Sequence, residues 1–391
     1  VDDGAARARR HAGRHAGAQA GGGPLRGQTR RKGRAARRRA SSPDCGAQAS
    51  PAAAGAMEVR FLVEIGLCIA LWYSSSAVAN TTSRKLLTQT PLPVLLTLNQ
   101  FVLATIFGFV LLRVAGVRKY TPLAPKAQPS YRKLTAVYTT GFLFVNAGYV
   151  MVNVSLAETL RSAEPLVTVV LALLFLKSEP VSRAELASMA PIVLGGALSS
   201  FGDSSFSLIG LLFVCISNLS FSLRSMYTKK LREHYDGDAF NVFFHVSKLG
   251  TIYLLGLLAV WEVFAPLVFM SPEDAAADQK SPTRFLVLAN LDRILTTEMM
   301  SLAFVNGVTY VLYNQTSFYV LSRVRMVTHG VANAFRRVVT ILCSVWYFGN
   351  RINMTNAFGI SLAIAGVLLY AKAKDSARAT LALPVAAGSA P

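Results

Sequence analysis

The chain has 391 residues, 52% of them hydrophobic and only 15% charged, with a mean hydropathy of +0.41 and a formal net charge of +20. That balance is too apolar and too charge-poor for a water-soluble domain, and it points to a polytopic membrane protein. The basic excess is uneven, +9 on residues 1–56 and +11 on the remaining 335, which suits basic cytoplasmic loops better than a nucleic acid partner.

Residues 1–56 are rich in Ala, Gly and Arg, with twelve Lys/Arg against three Asp and no apolar periodicity, so no core is expected there. Their acid-poor, Arg-rich composition resembles an organelle transit peptide. Met57, directly before the first apolar run, equally fits an initiator, which would make residues 1–56 translated upstream sequence.

From Phe61 the chain becomes a succession of apolar runs near the ~20 residues that span a bilayer as a helix. They lie at about 61–81, 92–113, 134–156, 158–177, 184–201, 206–228, 240–266, 298–322, 327–348 and 354–373. The expected fold class is therefore all-α, with ten transmembrane helices in a domain over residues 57–375 and a disordered tail at 376–391. Continuous apolarity excludes a closed barrel, whose strands alternate. The second, fourth, sixth and eighth connections are the basic ones, carrying among others Arg118, Arg132, Lys177, Lys230 and Arg325, which puts both termini on the cytoplasmic side.

One stretch is tight. Leu134 to Leu176 leaves 43 residues for two spanning helices and a turn, with Asn153, Ser155, Glu158, Arg161 and Glu164 crowded in its middle. Either the third helix ends early or the fourth is short and starts near Glu158. A weak repeat relates the segment starting at Leu166 to that starting at Val338: each opens with an apolar helix, turns, and continues into a second helix ending near Gly196 or Gly366. Two five-helix halves with an odd helix count are inverted, and inverted repeats place a substrate site at their interface near the midplane.

Arg336 and Arg337 stand near that depth, roughly 14 Å into the ninth run at 1.5 Å per residue. Intramembrane guanidiniums are tolerated when they face a bundle interior, and their rigid fork of donors fits phosphate oxygens, so the expected visitor is a phosphorylated anion. Neutralisation by intramembrane acids is the competing reading. Arg161 and Glu164 could pair with each other or meet substrate. Tyr313 needs a partner, on a substrate or on a neighbouring helix. Lys248, in the seventh run with His245, fits snorkelling, and Arg224 fits interfacial anchoring, with substrate contact the lesser role for both. Gly195, Gly196 and Gly366 suit close helix packing. Cys45, Cys68, Cys215 and Cys343 are scattered, without metal spacing or a disulfide pattern. With no phosphate-cradling glycine loop, metal constellation or nucleophile elbow, a carrier without cofactor or metal is expected in place of an enzyme.

Four segments carry a family resemblance: LWYSSSAVANTTSRKLL, NVSLAETLRSAEPLVTVVLALLF, SNLSFSLRSMYTKKL and the long run from Tyr313 to Lys374. Together they resemble the triose-phosphate/phosphate translocators of the drug/metabolite transporter superfamily. The resemblance implies ten helices in inverted halves and exchange of inorganic phosphate for a phosphorylated C3, C5 or C6 compound. It further implies that Arg336 and Arg337 fill a Lys-Arg phosphate site, that Arg161 replaces a lysine before Glu-Pro, and that Tyr313 matches a substrate tyrosine. Tyr149 and Val152 stand where the family has histidine and threonine, and the link to Glu-Pro is about seven residues shorter than the family pattern. The location implied is a plastid envelope or a Golgi-type endomembrane. A nucleotide-sugar carrier remains the alternative within transporters, and a scaffold or lipid head-group binder the alternative of another class; oligomeric state is not legible.

Overall fold

The computed structural model of the chain describes residues 51–175, 182–269, 286–324, 326–349 and 353–382. Most of the basic segment 1–56 and the end of the C-terminal tail lie outside the described residues, and so does Cys45. Residues 1–53 and 54–391 are separate units, and the second contains the helical bundle.

Every regular element among the described residues is helical. They are α1 (Pro51–Gln89), α2 (Pro93–Phe109, prolonged by one π turn, Val110–Val114), α3 (Gln128–Met151), α4 (Val154–Arg161) and α5 (Glu164–Phe175). There follow α6 (Arg183–Ala187), α7 (Met189–Gly202), α8 (Leu208–Arg232), α9 (Ala239–Phe269), the single turn α10 (Leu291–Ile294), α11 (Thr297–Arg323), α12 (Met326–Phe348) and α13 (Met354–Ala382).

Seven of these segments are long and apolar enough to cross a membrane: Val59–Gln89, Pro93–Val114, Pro125–Met151, Arg183–Phe201, Leu208–Arg232, Ala239–Phe264 and Met354–Lys374. Burial corroborates the setting. Large apolar side chains face outward, with Phe201 88%, Trp346 85% and Met354 89% exposed, while Asn80, Gln100, Asn146, Ser217, Asn306 and Thr340 are buried. A water-soluble protein distributes these residue types the other way round, so the solvent of this exterior is lipid.

The runs expected at 298–322 and 327–348 form α11 and α12, which are not among the seven. The sequence of α11 includes Asn306, Asn314, Gln315 and Thr316, all buried, and these polar groups lower its hydropathy because they serve the interior. The expected helices at 134–156 and 158–177 need correction. Helix α3 stops at Met151, Val152 and Asn153 are extended, and a second break at Ser162–Ala163 separates α4 from α5. The second break has a local cause: Pro165 cannot donate to the carbonyl of Arg161 and its ring would clash there, so α4 ends at that residue.

Helices α3 and α8 lie together through Phe142 and Phe221, whose rings are 5.1 Å apart, and α2 packs on α9 beside Gly108 and Gly250. Helices α7 and α13 approach backbone to backbone. A Cβ added to Gly195 would fall 2.6 Å from the Gly359 carbonyl oxygen, and one on Gly359 would fall 2.7 Å from that of Gly195. Gly366 meets Ile192 in the same seam, whereas Gly196 has only an ordinary contact with Leu160. A ladder of amides and hydroxyls ties α1, α2, α3 and α11. Gln100 donates to Asn306 at 3.0 Å, Asn306 donates to Ala79 and Ser83, and Asn146 donates to Gln100 and Thr97. In hydrocarbon such groups must find each other, which fixes the register of these helices.

Candidate functional site

Arg336 and Arg337 are adjacent near the middle of α12, only 7% and 6% exposed, so neither faces lipid. The two have different surroundings. Arg337 reaches toward α5 and α4, with Nη2 donating to Glu164 at 3.2 Å and Nη1 3.8 Å from Glu158. Arg336 donates to Asn333 at 3.0 Å and to Ser76 of α1 at 2.5 Å, and among the described residues no carboxylate lies within 4.0 Å of it.

The third expected arginine, Arg161, pairs with Glu158, one turn earlier on α4, at 2.5 Å. The pairing of Arg161 with Glu164 is thereby corrected. The break at Ser162–Ala163 takes the two residues off a common helical face, and Glu164 turns to Arg337 instead. Glu158 is fully buried and also accepts from the Tyr149 hydroxyl at 2.8 Å. One carboxylate thus gathers Arg161, Arg337 and Tyr149 from three helices. A buried carboxylate is tolerated only with such partners.

These groups border a cavity with about 100 Å³ of room. Arg161, Arg336, Arg337 and Tyr313 line it, with Trp72, Asn80, Phe142, Glu164, Phe221, Asn314, Ser317 and Asn333. Arg224 lines it too; the interfacial anchoring expected of it is not its place. Its guanidinium lies 4.9 Å from the Phe221 ring centroid, and that of Arg161 lies 5.5 Å from the same centroid, so one aromatic ring meets two cations. Lys248 is different. It is exposed on α9 and absent from the cavity wall, while its neighbour His245 is buried and bonded to the Thr121 carbonyl. Tyr149 borders a second, much smaller space of about 10 Å³, with its hydroxyl committed to Glu158.

Among the described residues, four guanidiniums against two carboxylates, Glu158 and Glu164, leave this region two positive charges in excess. Such an arrangement can bind a dianion, with the guanidinium forks supplying paired donors to its oxygens. Sequence reasoning missed Glu158, Ser76, Asn80 and Asn333. Glu158 had a signal: it stands three residues before Arg161 as Glu164 stands three after, and Pro165 favours the earlier partner by breaking the helix between. Arg84, also missed, donates to the Val150 carbonyl and caps the end of α3 from α1. Among the described residues no cluster of His, Cys, Asp and Glu could hold a metal.

A sequence model of the Triose-phosphate Transporter family matches residues 63–371. The chain is 29% identical over 323 residues to the triose phosphate/phosphate translocator, non-green plastid, chloroplastic, of Brassica oleracea var. botrytis, covering 82% of this chain and 75% of that one. It is 29% identical over 315 residues to the chloroplastic phosphoenolpyruvate/phosphate translocator 1 of Arabidopsis thaliana, covering 80% and 72%. The counterpart of that translocator in Oryza sativa subsp. japonica is 30% identical over 314 residues, again covering 80% and 72%.

Proposed function

The chain belongs to the Triose-phosphate Transporter family, a family of transporters and not of enzymes, and from that premise we propose an antiporter. It exchanges a phosphorylated sugar or C3 organic phosphate for inorganic phosphate through the cavity bordered by Arg161, Arg336 and Arg337. The observation that carries this reading is Arg336, buried beside open space with no carboxylate within reach among the described residues. A phosphate monoester or inorganic phosphate near neutral pH carries about −1.5 to −2, which matches the cavity's excess of two positive charges.

The empty cavity is a poor traveller. Carrying uncompensated charge through the apolar middle of the bundle is costly, and a bound phosphate removes that cost, so crossing over requires a passenger in each direction. Helix pairing supports an inverted two-fold architecture within the transporter domain, residues 57–375. Counting α4–α5 as a broken fourth segment and α6–α7 as the fifth, with α10 left out, there are ten segments in chain order. In that count the second packs on the seventh, the fourth on the ninth and the fifth on the tenth, as α2 on α9, α4 on α12 and α7 on α13. Halves related by a two-fold bring each such segment onto its own counterpart at the axis, and rocking one half against the other exposes the site to each side in turn.

The relatives' names are chloroplastic, which supports a plastid membrane as the location, and the basic even-numbered connections support cytoplasmic termini. Reconstitution into phosphate-loaded liposomes tests the central reading. Labelled phosphate should enter only when phosphate or an organic phosphate is inside; uptake into empty vesicles at the same rate, or retention of full exchange by both Arg336→Ala and Arg337→Ala, would refute it.

A further inference from the structure

We infer that Glu158 is a resident counter-anion, competing with phosphate for Arg161 and Arg337 and so setting how firmly the carrier holds its passenger. The inference rests on the reading of the basic cavity as the phosphate site. Arg161 and Arg337 line that cavity, and Glu158 is not on its wall. It stands behind them, fully buried on α4, with Oε1 2.5 Å from Arg161 Nη1 and Oε2 3.8 Å from Arg337 Nη1. Glu158 is therefore a positioning residue that acts through the two arginines. The other acid, Glu164, is ion-paired with Arg337 alone among the described residues.

The resident acid leaves both guanidiniums short of partners. Nε of Arg161, Nη1 of Arg337 and Oε2 of Glu158 are all buried without a hydrogen bond. At 3.8 Å the contact of Arg337 with Glu158 is too long for one, so charge alone makes it. The carboxylate bonds one guanidinium and leaves the other incomplete; a phosphate, with acceptor oxygens directed to several sides, can take donors from both. With Glu158 ionised, the described groups of the site sum to two positive charges, and without it to three. The acid thus keeps the arginines tolerable in the empty interior and at the same time weakens their pull on an incoming anion. Tyr149 tempers that competition. Its hydroxyl donates at 2.8 Å to the same Oε1 that Arg161 uses and draws off part of the negative charge. The two residues therefore push phosphate affinity in opposite directions.

Equilibrium binding of labelled phosphate to the full chain in detergent, at fixed ionic strength, tests this, with exchange in proteoliposomes alongside. Glu158→Gln keeps the shape and removes the charge; it should tighten the phosphate Kd at least threefold and slow maximal exchange, because a firmly held phosphate leaves later. Tyr149→Phe should weaken Kd about twofold. Damage to the fold would weaken binding in both variants and could not tighten it in one. Should Glu158→Gln fail to fold, Glu158→Asp takes its place: it keeps an acid for the arginines but sets it one methylene further back, and should tighten Kd about twofold. A Kd unchanged or weakened in the folded Glu158 variant, or tightened in Tyr149→Phe, would overturn the inference while leaving the carrier reading intact. Unaltered protein that neither binds nor exchanges phosphate would overturn the carrier reading and this inference with it.

Discussion

Arg336 of α12 and Ser76 of α1 are joined by a 2.5 Å hydrogen bond across 260 positions of sequence, and that neutral hydroxyl stands where a buried guanidinium would ordinarily meet a carboxylate. The site therefore keeps its charge available. Glu158 and Glu164 serve the neighbouring Arg337, so of the two adjacent arginines one is held by carboxylates and the other by neutral oxygens.

Arg336→Ala should abolish transport without unfolding the protein. The change removes a charge that has no carboxylate within 4.0 Å among the described residues, so phosphate exchange should fall at least a hundredfold in proteoliposomes while the melting temperature in detergent shifts little. Ser76→Ala removes one hydrogen bond to a charged group, worth about 1.5–3 kcal/mol, and should weaken phosphate binding roughly tenfold or more with exchange still measurable.

Arg337→Ala should behave differently, because it removes the cation bonded to Glu164 and leaves fully buried Glu158 with Arg161 and the Tyr149 hydroxyl. Breaking a buried ion pair from one side costs about 3–5 kcal/mol, so this variant should melt clearly below Arg336→Ala. Adding Glu164→Gln should recover part of that loss. Equal melting temperatures for the two single alanine variants would show that the assigned division between the arginines is wrong.

Phosphate should stabilise the unaltered protein against heat and leave Arg336→Ala unaffected. At a hundred times its dissociation constant a ligand contributes about 2.7 kcal/mol to the folded state. A thermal-shift titration with phosphate, using chloride at matched ionic strength as the comparison, reads this directly.

The seam of α7 and α13 should tolerate no side chain at its centre. Gly359→Leu would push a branched group into the Gly195 backbone and should destabilise the fold by at least the roughly 1–3 kcal/mol of an overpacked core. Gly256→Ala on α9, where a Cβ would meet nothing within 4 Å, is the matched control and should melt like the parent.

Asn306→Leu tests the amide ladder. It deprives Gln100 of an acceptor and Ser83 of a donor in a region closed to water, a cost of about 1–3 kcal/mol per stranded group. Reduced thermal stability with phosphate binding per folded molecule unchanged is the expected pair of results, because Asn306 does not line the basic cavity.

Composition and hydropathy alone determined that this chain lives in a membrane as helices, because lipid demands long apolar runs whose backbone bonds close within each run, and both demands are written residue by residue. The same counting put Arg336 and Arg337 near the middle of their helix. Which groups meet was decided only by the folded chain. Hydropathy does not register the breaks at Val152–Asn153 and Ser162–Ala163, and it is those breaks that send Glu158 to Arg161 and Glu164 to Arg337. Nor does it distinguish Arg224, drawn to the cavity by the Phe221 ring, from Lys248, left outside. Ion pairing inside the bundle depends on angstrom distances between helices far apart in sequence, and packing alone sets those distances.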